Sequence, residues 1–366
     1  AGLRSDRRLV EPRLKQVAMA LLSFGLIHGV AVAQPATELP VPAEGIGSGR
    51  EQVRGDEITP ASQAAVDRGL AWLAKQQRPD GSIGTTGTAI TSLGAIAFMS
   101  AGHLPGRGEY GDVVQRAVDS VISQAQPSGL LAGAGSGGVM YQHGFATLLL
   151  GEVYGMTGDD RIQEPLRRAV RLIEQSQNPQ GGWRYQPVPV DADVSVTICQ
   201  VMALRAARDA GIKVERQVID DAIEYVRQCQ NGDGGFNYML GAGQNSAFPR
   251  SAAGVATLYY AGISEGDDVD RGLDYLLDFV PGNRINSRRH HYFYGQYYAA
   301  QAMFLAGGDY WATWYPAIRE ELIKTQHDNG SWSGDHTVEY STAMALIVLQ
   351  MPNRYLPVFS GKGPGS

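Results

Sequence analysis

The chain has 366 residues, of which 43% are hydrophobic and 19% are charged, so it can bury a large core and is not a globally disordered segment. Its formal net charge is −6, and it becomes −9 when the first 33 residues, with five Lys/Arg and two Asp/Glu, are set aside. An acidic body lacks the basic face that nucleic acids require, so we expect no nucleic-acid partner.

The first 33 residues carry the features of a secretory signal peptide. Basic side chains precede the apolar run "VAMALLSFGLIHGV", and the small-x-small pattern "AVA" ends at Ala33. The run is shorter than the roughly 20 residues that span a bilayer. We therefore expect an exported protein (periplasmic, envelope-associated or extracellular) that is not an integral membrane protein after cleavage. An uncleaved anchor is the alternative.

Residues 34–60 are rich in Pro, Gly and Glu and have no apolar periodicity, which predicts a disordered linker. Two cysteines follow in the body of the chain, Cys199 and Cys229. An exported protein can join them in a disulfide, but their apolar neighbours favour two buried thiols equally well. Both possibilities stay open at this point.

Residues 61–351 divide into six units of roughly 48 residues, a length typical of helical repeats. Each unit begins with an amphipathic stretch such as "EPLRRAVRLIEQSQ" and ends with an apolar stretch such as "VTICQVMALRAARDAG". The first pattern predicts an outer helix and the second an inner helix. Because the inner stretches are too apolar for an open array, we predict an all-α fold, a closed (α/α)6 toroid, followed by an extended tail over 352–366.

A short turn recurs between the two helices of a unit. "QNPQGGWRY", "QNGDGGF", "QHDNGSW" and "QRPDGSI" share a glutamine, three residues, a glycine, one residue and a large apolar side chain. In the second and fifth units, "SQAQPSGLL" and "DFVPGNRI" are degenerate versions. A glutamine at a helix end can bond unpaired backbone groups of the neighbouring helix, so the turn is predicted to be a structural staple.

The Gln-x3-Gly-x-Trp turn resembles the QW-type repeat of the prenyltransferase and squalene/terpene cyclase superfamily, over roughly residues 62–350. The resemblance implies an (α/α)6 barrel with a central cavity that holds an apolar isoprenoid. An apolar small molecule or lipid is thus the expected partner, and no cofactor is expected. The sequence identifies no protein partner.

In a closed ring, the loops between outer and inner helices emerge at one end, where polar side chains would surround the cavity. The candidates that we expect to line it are Tyr141, His143, Arg250, Tyr292, Tyr298, His336, Glu339 and Tyr340.

The segment "DADVSVT" resembles the start of the Asp-x-Asp-Asp-Thr motif of squalene-hopene-type cyclases, whose middle Asp is the proton donor. By this resemblance Asp193 is the catalytic acid and Asp191 its companion. Burial beside a second carboxylate can keep such an acid protonated. Val194 and Ser195 depart from the motif, however, and Asp193 also precedes an apolar helical run, where Asp is a favoured N-cap.

The segment "RRHHYFYGQYY" supplies two further catalytic candidates, His291 and Tyr294. Imidazoles can move protons, and aromatic faces can stabilise a carbocation. His336, followed by Thr337 and Tyr340, resembles the zinc histidine of protein prenyltransferases, which makes His291 and His336 weak zinc candidates with Asp335 or Asp193. The Asp-x-Cys part of that zinc site is absent, with Arg289 and His291 in its place, so no metal is predicted.

Three functions remain compatible with these residues. The first is a cyclase-like or prenyltransferase-like enzyme acting on an isoprenoid through acid-initiated carbocation chemistry. The second is a non-catalytic binding or scaffold protein of the envelope. The third is a polysaccharide-processing enzyme, because α/α barrels also host glycosidases and lyases.

Overall fold

The computed structural model describes residues 57–85, 87–133, 138–282, 290–334 and 336–359. The predicted signal segment, residues 34–56 of the predicted linker, Arg289 and Asp335 lie outside the described residues. Within those ranges the chain forms twelve α-helices and no β-strand. None of the helices in the described part of the chain has the length and apolarity needed to cross a bilayer.

The helices alternate between two types along the chain. Six have one buried stripe and an exposed face, and these outer helices are α1 (Pro60–Ala74), α3 (Gly111–Ser123), α5 (Asp160–Ser176), α7 (Arg216–Gln228), α9 (Asp267–Leu277) and α11 (Gly308–Thr325). Six are buried over most of their surface, and these inner helices are α2 (Gly87–Ser100), α4 (Val139–Thr157), α6 (Val194–Asp209), α8 (Phe248–Ala261), α10 (Tyr292–Ala306) and α12 (Val338–Gln350).

The inner helices form a closed ring. Each packs against the next inner helix along the chain, and α12 packs against α2. The outer helices surround this ring, and α11 packs against α1. The predicted all-α (α/α)6 toroid is thereby confirmed.

The recurring glutamines join neighbouring outer helices. Gln177 Nε2 donates to Gly181 O at 2.8 Å and to Val218 O, near the start of α7, at 2.8 Å. The other three turns repeat this pair of bonds, with Gln77, Gln230 and Gln326 donating to Val113 O, Asp268 O and Ala65 O of the next outer helix. Because α1 follows α11 in the ring, the Gln326 bond closes the outer layer.

The glycine of each turn lets two backbones approach closely. Gly181 has φ +98°, and a Cβ at this position would lie 2.1 Å from Asp221 O of α7. Trp183, two residues later, is buried, and its indole Nε1 donates to Ile173 O at 2.8 Å. The Trp183 backbone N–H donates to Thr197 Oγ1 of α6 at 3.2 Å, so the turn of the third unit is also tied to its inner helix.

In the second unit, His143 accepts the backbone hydrogen bond from the turn that Thr197 accepts in the third unit. Its Nδ1 accepts from the Leu131 backbone N–H, and its Nε2 donates to Ala169 O of α5, both at 3.1 Å. Burial lowers the pKa of His143 to about 4, so the imidazole is neutral and both ring nitrogens are used. The expectation that His143 lines the cavity is therefore corrected, since this side chain is fully buried between helices.

The C-terminal tail packs against the ring as far as residue 359. Met351–Asn353 and Pro357–Phe359 are single 3-10 turns, so this part of the tail is not uniformly extended. Leu356, Val358 and Phe359 are buried, and Val358 N donates to Glu152 Oε2 of α4.

The two cysteines are free thiols. Cys199 lies on α6 and Cys229 directly after α7, and both are buried. Burial raises the pKa of each thiol to about 12, which makes both unreactive at neutral pH.

Candidate functional site

A cavity of about 920 Å³ opens at the end of the ring where the inner helices begin. All six inner helices contribute side chains from their first two turns or from the residues just before them. The lining consists of Ala89, Ile90, Tyr141, Phe145, Tyr185, Ser195, Tyr238, Ala247, Pro249, Arg250, His290, His291, Tyr294, His336, Thr337 and Tyr340.

The described part of this lining is aromatic and basic. Five tyrosines, one phenylalanine, three histidines and one arginine contribute to it, and neither Asp nor Glu is among the described lining residues. Helix N-termini carry partial positive charge, and six of them face this cavity. The arrangement suits an apolar ligand body with an anionic or strongly polar end.

Asp193 lies directly behind the cavity wall and caps α6. Its side chain is fully buried, and Oδ1 accepts from the Val196 backbone N–H at 2.9 Å. The same oxygen accepts from Ser195 Oγ at 2.5 Å. Because Ser195 lines the cavity and Asp193 does not, the serine hydroxyl separates the carboxyl from the cavity.

The second oxygen of Asp193 also meets a group from the wall. Tyr238 OH donates to Oδ2 at 3.2 Å, and Arg184 Nε lies 3.6 Å from the same atom. Burial raises the pKa of the Asp193 carboxyl, while the hydrogen bonds from Ser195, Val196 and Tyr238 act in the opposite direction. Asp193 is thus a buried acid in contact with two hydroxyls of the cavity wall.

Asp191 holds Arg184 in place at the surface and does not line the cavity. Its Oδ2 pairs with Arg184 Nη1, and its side chain is 45% exposed. The Arg184 guanidinium in turn lies over the rings of Tyr185 and Tyr238, at 5.3 and 5.8 Å from their centroids. Asp191 acts on the site only through Arg184, which corrects the expectation of a catalytic pair of aspartates.

Three of the predicted tyrosines lie on the cavity wall. Tyr141 OH is 2.7 Å from Ser195 Oγ, and Tyr294 OH donates to the Ser195 carbonyl oxygen at 2.9 Å. Tyr340 lies against His336, with ring centroids 5.0 Å apart in an edge-on arrangement. Ser195 therefore sits between two tyrosines.

His291 and His336 meet at the mouth. His291 Nδ1 is 3.4 Å from His336 Nε2, and the rings stack with centroids 5.5 Å apart. His291 has φ +63°, a left-handed conformation that turns the chain into α10. The described residues contain no group of three or more His, Cys, Asp or Glu placed to hold a metal ion. Asp335, a suggested third ligand, lies outside them.

Three other candidates lie away from the cavity lining. Tyr292 turns outward and donates to Glu321 Oε1 of α11 at 2.6 Å. Tyr298 is fully buried behind Tyr294, with its OH 3.2 Å from Cys199 Sγ. Glu339 packs beside Gly84, which directly follows the recurring turn of the first unit. Their expected role as lining residues is corrected, because each faces a neighbouring element instead.

Sequence reasoning missed Tyr185 and Tyr238, which the structure places on the wall with their hydroxyls hydrogen-bonded to each other. A signal was present in the repeat. Each tyrosine stands two residues after the apolar position of its turn, in "GGWRY" and "GGFNY". The end of the staple turn therefore contributes to the cavity as well as to the fold.

Comparison with known proteins agrees with this architecture. A family model described as the prenyltransferase alpha-alpha toroid domain matches residues 110–280. No curated protein sequence matches the chain. The predicted resemblance to the prenyltransferase and terpene cyclase toroids is confirmed as a likeness of fold.

Solved structures of two enzyme classes share the fold. Type II terpene cyclase MstE from Scytonema superposes with a TM-score of 0.55 at 14% identity, over 81% of this chain and 100% of that chain. Another MstE structure contains its substrate, geranylgeranyl dihydroxybenzoate. An α-1,6-mannanase of Salegentibacter sp. HEL1_6, bound to α-1,6-mannotetrose, superposes with a TM-score of 0.61 at 7% identity, over 81% of this chain and 99% of that chain. At these identities the likeness extends to the fold alone.

Proposed function

We propose that the toroid binds an amphipathic isoprenoid, with a long apolar chain and an anionic or polar end, and that Asp193 supplies the proton that starts its cyclisation. One observation carries the proposal. A fully buried carboxyl with a raised pKa contacts two hydroxyls, those of Ser195 and Tyr238, that form part of the wall of an aromatic cavity. A terpene cyclase with the same fold, which binds a geranylgeranyl substrate, adds support.

The cavity wall provides for both ends of such a ligand. Ala89, Ile90 and Phe145 offer apolar surface for the chain, and burial of that chain is the main favourable term in binding. Arg250 and the helix N-termini attract an anionic end. Arg250 is held by its Nε, which donates to Phe236 O at 2.9 Å, and by a bond to Asn245 O. Its guanidinium is therefore fixed before a ligand arrives.

Proton transfer would pass through Ser195. The step starts from the protonated carboxyl, with the Ser195 hydroxyl turned so that Oγ accepts from Asp193 and its own hydrogen faces the ligand. The Ser195 Oγ–H bond then breaks as the alkene π pair forms a C–H bond with this proton, Asp193 gives its own proton to Oγ in the same step, and a carbocation is left on the ligand. Asp193 is left as a carboxylate that accepts from Val196 N and Tyr238 OH, which lowers its energy. The faces of Tyr141, Tyr294 and Tyr340 would stabilise the resulting carbocation.

The same cavity favours the other two functions less. Glycosidases that use general acid–base chemistry need a pair of carboxyl groups flanking the bond, and no described lining residue is Asp or Glu. Binding without turnover is the second candidate. It is favoured by one observation, the 0% exposure of Asp193, which keeps the carboxyl from touching a ligand directly.

The test is turnover of isoprenoid acids and diphosphates of ten to thirty-five carbons by the purified protein, with products identified by mass spectrometry. Asp193→Asn keeps an N-cap oxygen but removes the acid, so we expect it to abolish cyclisation while ligand binding persists. Asp159→Asn is the control, since Asp159 is also an aspartate N-cap, of α5, accepting from the Arg161 backbone N–H, and it is not among the cavity-lining residues. Unchanged turnover in Asp193→Asn would overturn the acid role, and binding without turnover in the wild type would establish the second candidate.

A further inference from the structure

The C-terminal tail, residues 351–359, lies across the end of the ring where the inner helices end, opposite to the cavity mouth. Asn353 Nδ2 donates to the carbonyl oxygen of Ser100, the last residue of α2, at 2.9 Å. The Arg354 guanidinium lies 5.1 Å from the centroid of the Phe304 ring on α10. The turn Pro357–Phe359 packs against α6. Since α6 stands opposite α12 in the ring, the tail spans this end of it.

Glu152 of α4 meets the tail from inside the ring. Its side chain is buried, and Oε2 accepts from the Val358 backbone N–H at 3.3 Å. Leu356 and Phe359, on either side of Val358 in the tail, are also buried and apolar. Because the hydrogen bond joins the carboxyl to the tail directly, displacement of the tail removes part of the cover that keeps Glu152 from water.

The titratable side chains around Glu152 leave its charge without a partner of its own. Those on the neighbouring inner helices are Arg205 and Asp209 of α6, Tyr260 of α8 and Tyr297 of α10. Arg205 Nε is bonded to Asp209 Oδ2 at 2.5 Å, so these two charges offset each other. Helix α2 carries no titratable residue, and the ion-paired side chains of α5 are exposed. In the tail, Arg354 lies over a ring of α10 and Tyr355 is 54% exposed.

Ionisation of Glu152 is costly while the tail is in place. Burial raises its pKa from 4.5 to about 8, against the effect of the Val358 N–H. Water relieves this cost only if part of the surrounding structure moves away. The inner helices pack against one another around the ring, whereas the tail is a short terminal segment with two single 3-10 turns. Local opening of such a segment requires less free energy than unfolding of the ring.

We propose that residues 351–359 form a pH-sensitive plug of the ring, which stays in place while Glu152 is protonated and detaches from α4 and α6 when Glu152 ionises. Tyr297, which lies near Glu152, contacts Phe145 of the cavity wall, with ring centroids 6.3 Å apart. Detachment of the plug therefore brings water toward the closed end of the cavity. The proposal does not rest on the proposed function, since no residue of the plug is among the described lining residues.

The experiment is hydrogen–deuterium exchange of the full chain from pH 5.5 to 7.5, read by mass spectrometry of peptides and corrected for the intrinsic pH dependence of exchange. Because opening lets Glu152 release one proton, the protection of the tail amides should fall by about tenfold per pH unit. Peptides from α4 should keep their corrected protection. In Glu152→Gln the protection of the tail should be the same at every pH.

Two further variants separate the pH dependence from the packing of the plug. Glu164→Gln is the matched control, since Glu164 lies on α5 with its side chain 59% exposed, and it should reproduce the wild-type slope. Phe359→Ala removes an apolar contact of the plug and keeps Glu152. It should lower the protection of the tail at every pH and retain the fall of about tenfold per pH unit.

Tail protection that does not vary with pH in the wild type and in Phe359→Ala would overturn the proposal. So would an equally steep fall in Glu152→Gln, or an equal loss of protection in α4 and the tail, because the whole ring would then be opening. The measurement needs no ligand. A pH-dependent tail in a protein that turns over no isoprenoid would thus support the plug while the proposed function fails.

Discussion

The hydroxyl of Ser195 lies 2.5 Å from Oδ1 of Asp193 and forms the part of the cavity wall that covers this carboxyl. The relationship places one small polar side chain between a buried acid and a ligand space. The serine stabilises the ionised form of the acid by its hydrogen bond, and burial opposes that effect.

Removal of the Ser195 hydroxyl should raise the pKa of Asp193 further. Ser195→Ala deletes a bond that favours the carboxylate, and the burial of the carboxyl remains. The pKa can be followed by carbon-13 NMR with labelled aspartate. Tyr141→Phe is the matched control, since it removes only the partner of Ser195 and should have a smaller effect. A lower pKa in Ser195→Ala would contradict the geometry described.

The close approach at Gly181 makes a prediction about stability. Gly181→Ala should lower the free energy of unfolding by more than about 3 kcal/mol, because a Cβ would meet Asp221 O and the backbone has φ +98°. Gly211 has φ +85° with nothing within 4 Å of an added Cβ, so Gly211→Ala isolates the cost of the conformation, about 1–2 kcal/mol. Urea unfolding measures both. Equal losses would show that the contact with α7 is unimportant.

His143 should make the protein less stable in acid. Its pKa is about 4 in the folded protein and 6.5 in the unfolded chain, so stability present above pH 6.5 is lost as the pH falls toward 4. His143→Asn keeps an acceptor for the Leu131 N–H and removes the titration, so its stability should change less over this range. Urea midpoints at pH 4.5, 5.5 and 7 provide the comparison. An identical slope in both proteins would contradict a neutral, buried His143.

Glu152 should make the stability of the protein depend on pH in the opposite direction. Burial raises its pKa from 4.5 to about 8, so the folded protein holds a proton that the unfolded chain releases. Stability is then fully present below pH 4.5 and declines, by an amount on the order of a few kcal/mol, as the pH rises to about 8. Glu152→Gln keeps an acceptor for Val358 N and should remove this decline. Unfolding midpoints at pH 5, 6.5 and 8 test it, and an unchanged decline in the variant would assign the effect to another group.

The fold could be predicted because its signals are local and repeated. A glutamine at a helix end and a glycine four residues later recur in four of the six units, where they join neighbouring outer helices, and apolar periodicity separates inner from outer helices. The ring closure at Gln326 and Ala65 follows from the same pattern. Because the turn and the apolar pattern recur along the chain, they predict the fold together although each is weak alone.

The site was less predictable because its geometry depends on side-chain directions that no periodicity encodes. The sequence predicts Asp193 as a site residue. The position of its carboxyl behind Ser195 results from its role as an N-cap, which turns the carboxyl back toward Val196. His143 looked like a cavity residue because it precedes an apolar helix, yet it replaces the hydroxyl acceptor of other units. Tyr185 and Tyr238 belong to turns for which the sequence predicts only a structural role.

Native mass spectrometry of the purified full chain, with release and identification of co-purifying lipids, tests the central claim that the cavity holds an apolar ligand. Ala89 lines the cavity, so Ala89→Trp should fill part of it and lose the ligand, while Ala74→Trp, at the end of α1 and away from the lining, should retain it. We expect an isoprenoid-type mass on the wild type and on Ala74→Trp, and none on Ala89→Trp. Equal retention by the two tryptophan variants, or no retained ligand and no binding of added isoprenoid acids by the wild type, would contradict it.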